Sequence, residues 1–204
     1  VRHDDDGNMT RGPLASGELG DYMYDARNRL CSADGVTSSY DAEGNRVAQT
    51  NLSGTTRFVI DPHGGPLPQV LVRERPDGSE VLYVHAGGVL LYEVEAATDA
   101  PRYYHGDQVG NTVALSDAAG AITDRIGYTP YGSIVHRTGT SDTPYLFGGL
   151  LGCATDPNGL VHMRARFYHP KLARFLNADP SGFRGGTNWY AYASGNPVVL
   201  SDPS

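Results

Sequence analysis

Apolar and polar residues alternate along most of the chain in short runs, and glycine, proline, asparagine or aspartate closes nearly every run. That period of two predicts half-buried strands joined by tight turns. Arg57-Phe58-Val59-Ile60, Leu67 to Glu74, Glu80 to His85 and Val89 to Glu95 read as strands. Asp61-Pro62-His63-Gly64-Gly65, Pro76-Asp77-Gly78 and Gly87-Gly88 separate them as turns. Tyr103 to Asp107, Thr112 to Leu115 and Ala121 to Tyr128 continue the series, with turns at Asp117-Ala118-Ala119-Gly120 and Pro130-Tyr131-Gly132. No amphipathic helical period occurs before about residue 140. A short helical turn is expected near Lys171-Leu172-Ala173-Arg174-Phe175, although Pro170 weighs against it. Trp189, Tyr190 and Tyr192 read as packing residues of a further strand.

A repeat underlies the pattern. Tyr24-Asp25-Ala26-Arg27-Asn28-Arg29-Leu30 returns 16 residues later as Tyr40-Asp41-Ala42-Glu43-Gly44-Asn45-Arg46-Val47, and Asp5-Asp6-Gly7-Asn8-Met9 precedes both. The tyrosine ends a strand and buries its ring while its hydroxyl stays at the edge. The aspartate accepts hydrogen bonds from turn amides, and Gly-Asn tolerates the left-handed backbone that reverses the chain. Such a hairpin cannot bury its apolar face alone, so the repeats stack side by side.

Composition agrees with many turns: 26 Gly and 13 Pro are spread over 204 residues. A net charge of −7 argues against a nucleic-acid-binding face. The sequence holds no apolar stretch long enough to span a bilayer. It opens in mid-pattern at Val1-Arg2-His3, without Met or a signal-peptide core, as expected of an excised piece. Cys31 and Cys153 lack metal-ligand spacing and read as two separate thiols. The seven histidines are scattered singly, so neither a metal site nor a cofactor is expected.

From Tyr104 onward the chain resembles the Rhs repeat-associated core of YD-repeat proteins. The resemblance is carried by Tyr104-His105-Gly106-Asp107-Gln108-Val109-Gly110-Asn111-Thr112, Tyr128-Thr129-Pro130-Tyr131-Gly132, Phe147-Gly148-Gly149 and Asp156-Pro157-Asn158-Gly159-Leu160. Met163-Arg164-Ala165-Arg166-Phe167-Tyr168-His169-Pro170, Arg174-Phe175-Leu176-Asn177-Ala178-Asp179-Pro180-Ser181-Gly182, Asn188-Trp189-Tyr190-Ala191-Tyr192-Ala193, Gly195-Asn196-Pro197-Val198 and Asp202-Pro203-Ser204 follow in order. The resemblance implies an all-β fold of antiparallel hairpins with little helix, forming part of a spiralling sheet, or cocoon. Residues 1–100 would be the YD-repeat segment and residues 101–204 the core. It also implies partners: upstream shell repeats and a C-terminal toxin cargo of the same protein, in a molecule secreted, surface-borne or delivered by a bacterial secretion system. Open strand edges allow self-association.

The same resemblance assigns chemistry to the end of the core. In the family two aspartates meet beside the bond that the protein cuts in itself, near an arginine thirteen residues before the first. Here these are Asp179, Asp202 and Arg166. Two close carboxylates do not both ionise easily, so one can serve as general acid and the other as general base. An arginine can hold one of them charged or steady an oxyanion. The family motif continues into Gly and Leu before the cut, so a chain stopping at Ser204 is expected to lack its scissile bond. Several alternatives stand beside this reading. Asp-Pro-x-Gly is itself a good β-turn, and Arg166 can be a structural salt-bridge partner, with Arg164 or Arg174 as the relevant charge. Trp189, Tyr190 and Tyr192 could make a sugar platform in a non-catalytic adhesion or carbohydrate-binding module.

Overall fold

The computed structural model describes residues 1–203, apart from the side chains at 184 and 185. Ser204, the end of the last motif, lies outside the described residues. Fourteen strands form one antiparallel sheet whose spatial order is the chain order. They are β1 (Arg2–His3), β2 (Met9–Pro13), β3 (Leu19–Tyr24), β4 (Leu30–Ala33), β5 (Val36–Tyr40), β6 (Arg46–Asn51) and β7 (Gly54–Asp61). The sheet goes on through β8 (Gln69–Glu74), β9 (Glu80–Ala86), β10 (Val89–Glu95), β11 (Ala100–Gly106), β12 (Thr112–Ser116), β13 (Ile122–Tyr128) and β14 (Ile134–Thr138). A second sheet holds β15 (Ala154–Thr155), β16 (Val161–Met163), β17 (Arg166–His169) and β18 (Arg174–Phe175). Residue 100 falls inside the large sheet, where Glu95 of β10 pairs with Ala100 of β11, and the architecture changes only after Thr138.

The repeat's turns explain this monotony. In the turns that begin at Asp4, Asp25, Asp41, Asp107 and Asp117, the first residue's N–H donates to the carbonyl four residues on, and its carbonyl accepts the N–H three residues on. The aspartate Oδ1 accepts the N–H two residues ahead and the one four ahead, as at Asp41 from Glu43 (2.9 Å) and Asn45 (2.8 Å). The fourth residue is left-handed in every case: Gly7, Asn28, Gly44, Gly110 and Gly120. Two of the tyrosines that precede a turn reach back to the previous turn on their own side. Tyr40 donates to the Leu30 carbonyl at 2.6 Å and Tyr128 to the Thr112 carbonyl at 2.7 Å. At these two places neighbouring hairpins are tied by a side chain as well as by the ladder.

One face of the large sheet packs on residues 145–193. Along β9, Val81 and Tyr83 are buried while Leu82 is exposed. Three apolar clusters each join sheet to plug: Met9, Tyr22 and Leu30 with Phe167 and Leu176; Tyr128 with Phe147, Tyr168, Phe175 and Tyr192; Val81, Tyr83, Leu90 and Leu115 with Tyr145 and Ala154. Each fully buried Val, Leu, Met or Phe among them stabilises by about 1.5–3 kcal/mol. The sheet must curl to achieve this. Tyr168 donates to the Tyr131 carbonyl beyond β13 (2.9 Å), while its neighbour His169 bonds the Pro13 carbonyl on β2 (3.1 Å). On a flat sheet strands so far apart in order would lie roughly 50 Å from each other. Two consecutive residues reach both, so the sheet wraps around the plug.

Two local expectations fail. Residues 171–173 make a turn, not a helix: Leu172 N–H bonds the His169 carbonyl, and left-handed Ala173 (φ 54°) sends the chain straight into β18. Residues 189–192 form no strand; only Ala191 bridges Arg174. Among the described residues, helix is limited to three short 3₁₀ turns, Gly149–Leu151, Gly182–Gly185 and Ala193–Gly195. No helix among the described residues is long and apolar enough to cross a membrane.

Candidate functional site

Strand β17 is buried along its whole length, and Arg166 opens it. A two-residue turn, Arg164-Ala165, joins it to β16, with Met163 opposite Arg166. Burial of the Arg166 side chain, only 4% exposed, demands partners, and the chain supplies two carboxylates. Nη1 lies 3.0 Å from Asp179 Oδ2, and Nη2 donates to Asp202 Oδ2 at 3.0 Å. The ring of Phe175 from β18 lies under the guanidinium, 3.6 Å from its carbon. All three residues anticipated from the sequence meet here. Of the alternative cations, Arg174 instead lies over the Tyr190 ring, and Arg164 binds backbone carbonyls, among them that of Pro203.

Asp179 serves as turn residue and site residue together. Its carbonyl accepts the Gly182 N–H at 3.0 Å, which closes the expected β-turn. Its Oδ1 accepts the Ser181 N–H (2.7 Å) and hydroxyl (2.6 Å), leaving Oδ2 for Arg166. Partial burial works against its charge, but the Ser181 hydrogen bonds and the Arg166 guanidinium outweigh it and hold the carboxyl below the usual range. The backbone joins in: the Trp189 carbonyl accepts the Asp179 N–H at 3.0 Å and an Arg166 Nη1 contact at 3.5 Å. The guanidinium set between the two carboxyl groups ties them together and holds Asp179 charged. Ser181, Phe175 and the Trp189 carbonyl were not anticipated. Only Ser181 had a signal in the sequence, its place two residues after an aspartate, where an Asx turn puts a donor.

The remaining candidates are structural in their surroundings. Tyr192 is buried in the aromatic cluster, Trp189 packs edge-on against Phe183, and Tyr190 donates to the Gly7 carbonyl. The three rings thus have separate partners. Cys153 is buried, which pushes its thiol up to about 12, and Cys31 is partly exposed; both are free thiols. No cluster of His, Cys, Asp or Glu suited to a metal occurs among the described residues.

Comparison with known proteins places the fold. The Teneurin YD-shell profile matches residues 69–192, more than half of the chain. The chain belongs to the Teneurin YD-shell family. Among curated relatives, it is 31% identical over 98% of its length to a double-stranded DNA deaminase toxin of Burkholderia cenocepacia, covering 16% of that protein. It is 29% identical over 93% of its length to the toxin subunit YenC1 of Yersinia entomophaga, covering 21% of it, and 26% identical over its full length to a tRNA-specific nuclease WapA of Bacillus spizizenii, covering 9%. The chain thus spans at most about a fifth of these relatives. The solved structure of TcdB2-TccC3 shares the fold over 90% of this chain and 10% of that one, with a TM-score of 0.69 at 19% identity. The YD-shell chain is therefore a shell segment of the kind found in bacterial polymorphic toxins.

Proposed function

We propose that this YD-shell segment helps to enclose a C-terminal toxin, and that Asp179, Asp202 and Arg166 form an intramolecular aspartyl protease that frees it. The observation that carries the reading is one nearly buried guanidinium held between two carboxylates that stand 23 residues apart in sequence. In this reading Asp179, held ionised, is the base that takes a proton from the attacking water. Asp202 in its protonated form donates to the leaving amide nitrogen as the C–N bond breaks. Arg166 keeps the two carboxyl groups in register and helps to hold Asp179 charged. Because the scissile bond belongs to the same chain, its effective concentration is high and modest groups suffice for a single turnover. The relatives named as toxins support a toxin cargo, exported or delivered by a bacterial secretion system.

The test is expression from the full-length gene. Two polypeptides are expected from the wild type, and one intact chain from Asp179→Asn or Asp202→Asn. An uncut wild type would sink the proposal.

A further inference from the structure

Arg164 occupies a costly backbone position. In the two-residue hairpin turn between β16 and β17 its φ is 52°, a conformation usual for glycine and strained for a side chain. Strain that persists in a folded chain points to a side chain whose contacts repay it. Those contacts are three backbone carbonyls from separate parts of the molecule. Nε donates to Pro68 ahead of β8 (3.3 Å), Nη2 to Leu151 in the first 3₁₀ turn (2.7 Å) and Nη1 to Pro203 (2.6 Å). The last is the shortest, and it falls on the residue directly after Asp202. Arg164 and Arg166 therefore hold adjacent residues from one hairpin, one by a carbonyl and one by a carboxylate.

We propose that Arg164 is a positioning residue for the self-cleavage reaction: it fixes the backbone after Asp202, so that the peptide leaving the core is presented to Asp179 and Asp202 in one orientation. The inference rests on the functional reading above. It adds that the geometry of the cut is set by a cation that touches neither carboxylate. A neutral carbonyl is a suitable handle, because gripping it leaves the charge of the aspartate pair unchanged. The planar fork also suits three separate acceptors better than a lysine ammonium does.

The test again uses the full-length gene product. Arg164→Gly suits the positive φ and so relieves backbone strain rather than adding it. It is expected to slow cleavage by about 100-fold, the scale of a misplaced reacting group, at temperatures well below its thermal midpoint. Low, non-denaturing guanidinium chloride is expected to restore part of the rate. Arg164→Lys, which keeps one donor for Pro203, is expected to be intermediate and serves if the glycine variant folds poorly. Hydrogen exchange at the Asp202 N–H is expected to rise in Arg164→Gly and not in Asp179→Asn. If the wild type is cut and the glycine variant is cut equally fast, the role of Arg164 falls and the aspartate reading stands. If the wild type is not cut at all, both fall.

Discussion

His169 shows how far a single side chain can commit the fold. Its Nδ1 accepts the Leu172 N–H at 3.2 Å, so the proton sits on Nε2, which donates to the Pro13 carbonyl. The residue is fully buried, and burial pushes its pKa below the ordinary histidine value; buried conditions depress His162 further still. A histidine lowered in the folded state binds its proton more readily when unfolded. Its contribution is therefore complete above the unfolded value of about 6.5 and is lost as pH falls through the lower folded value. Urea midpoints are expected to drop steadily below about pH 6.5. His169→Gln, which retains a donor for Pro13 and does not titrate, is expected to flatten part of that slope, with His162 supplying the rest. An unchanged pH profile in the variant would remove His169 from this account.

At the scale of the element, the aspartate-led turn does most of the specifying. Asp41→Ala deletes the acceptor for two backbone N–H groups and for the Asn45 side chain, while water can reach the vacated donors. It is expected to cost about 1–2 kcal/mol by urea denaturation, at the ordinary net value of such bonds, and Asp41→Asn, which keeps Oδ1, less than half as much. The same local chemistry made the strands legible in the sequence: each is bounded by a turn whose residues have few other uses. β8, β9 and β10 lie within two residues of where alternation put them. Legibility stops where long-range packing decides. Pro170 hinted against a helix over 171–175, but only the plug's pairing of β18 with β17 settles it. The point where sheet gives way to plug was hidden because both are β and both use the same turn. At the site, Asp179, Asp202 and Arg166 could be named from motif order. The strained φ of Arg164 and the shared carbonyl of Trp189 are backbone facts that no side-chain pattern reports.

At the scale of the whole molecule, sheet and plug are pinned by a buried ion pair. Arg46, the arginine of the second YD repeat, approaches both oxygens of Asp156 in the plug at 2.9 and 2.7 Å, with both side chains at most 3% exposed. Burial raises the Asp156 pKa against the pull of Arg46, so the pair is maintained against a desolvation cost. Arg46→Ala strands a buried carboxylate and is expected to destabilise the fold by about 3–5 kcal/mol, whereas replacing both partners by apolar residues is expected to cost far less. Calorimetry of the single and double variants separates the two outcomes. Equal losses would show that packing around Arg46, and not the charge left behind, is what matters.

The reach of Tyr168 and His169 also sets an order of events. Every ladder in the large sheet joins neighbours in sequence, so its hairpins can form one after another as the chain is made. The contact from His169 to Pro13 spans 156 residues and cannot form until the plug has been synthesised. Growth of the sheet is thus local and early, while its closure is a single late step. Until β17 arrives, the apolar inner face of fourteen strands stays open, which makes the unclosed sheet the state most exposed to aggregation and the one a chaperone would need to guard.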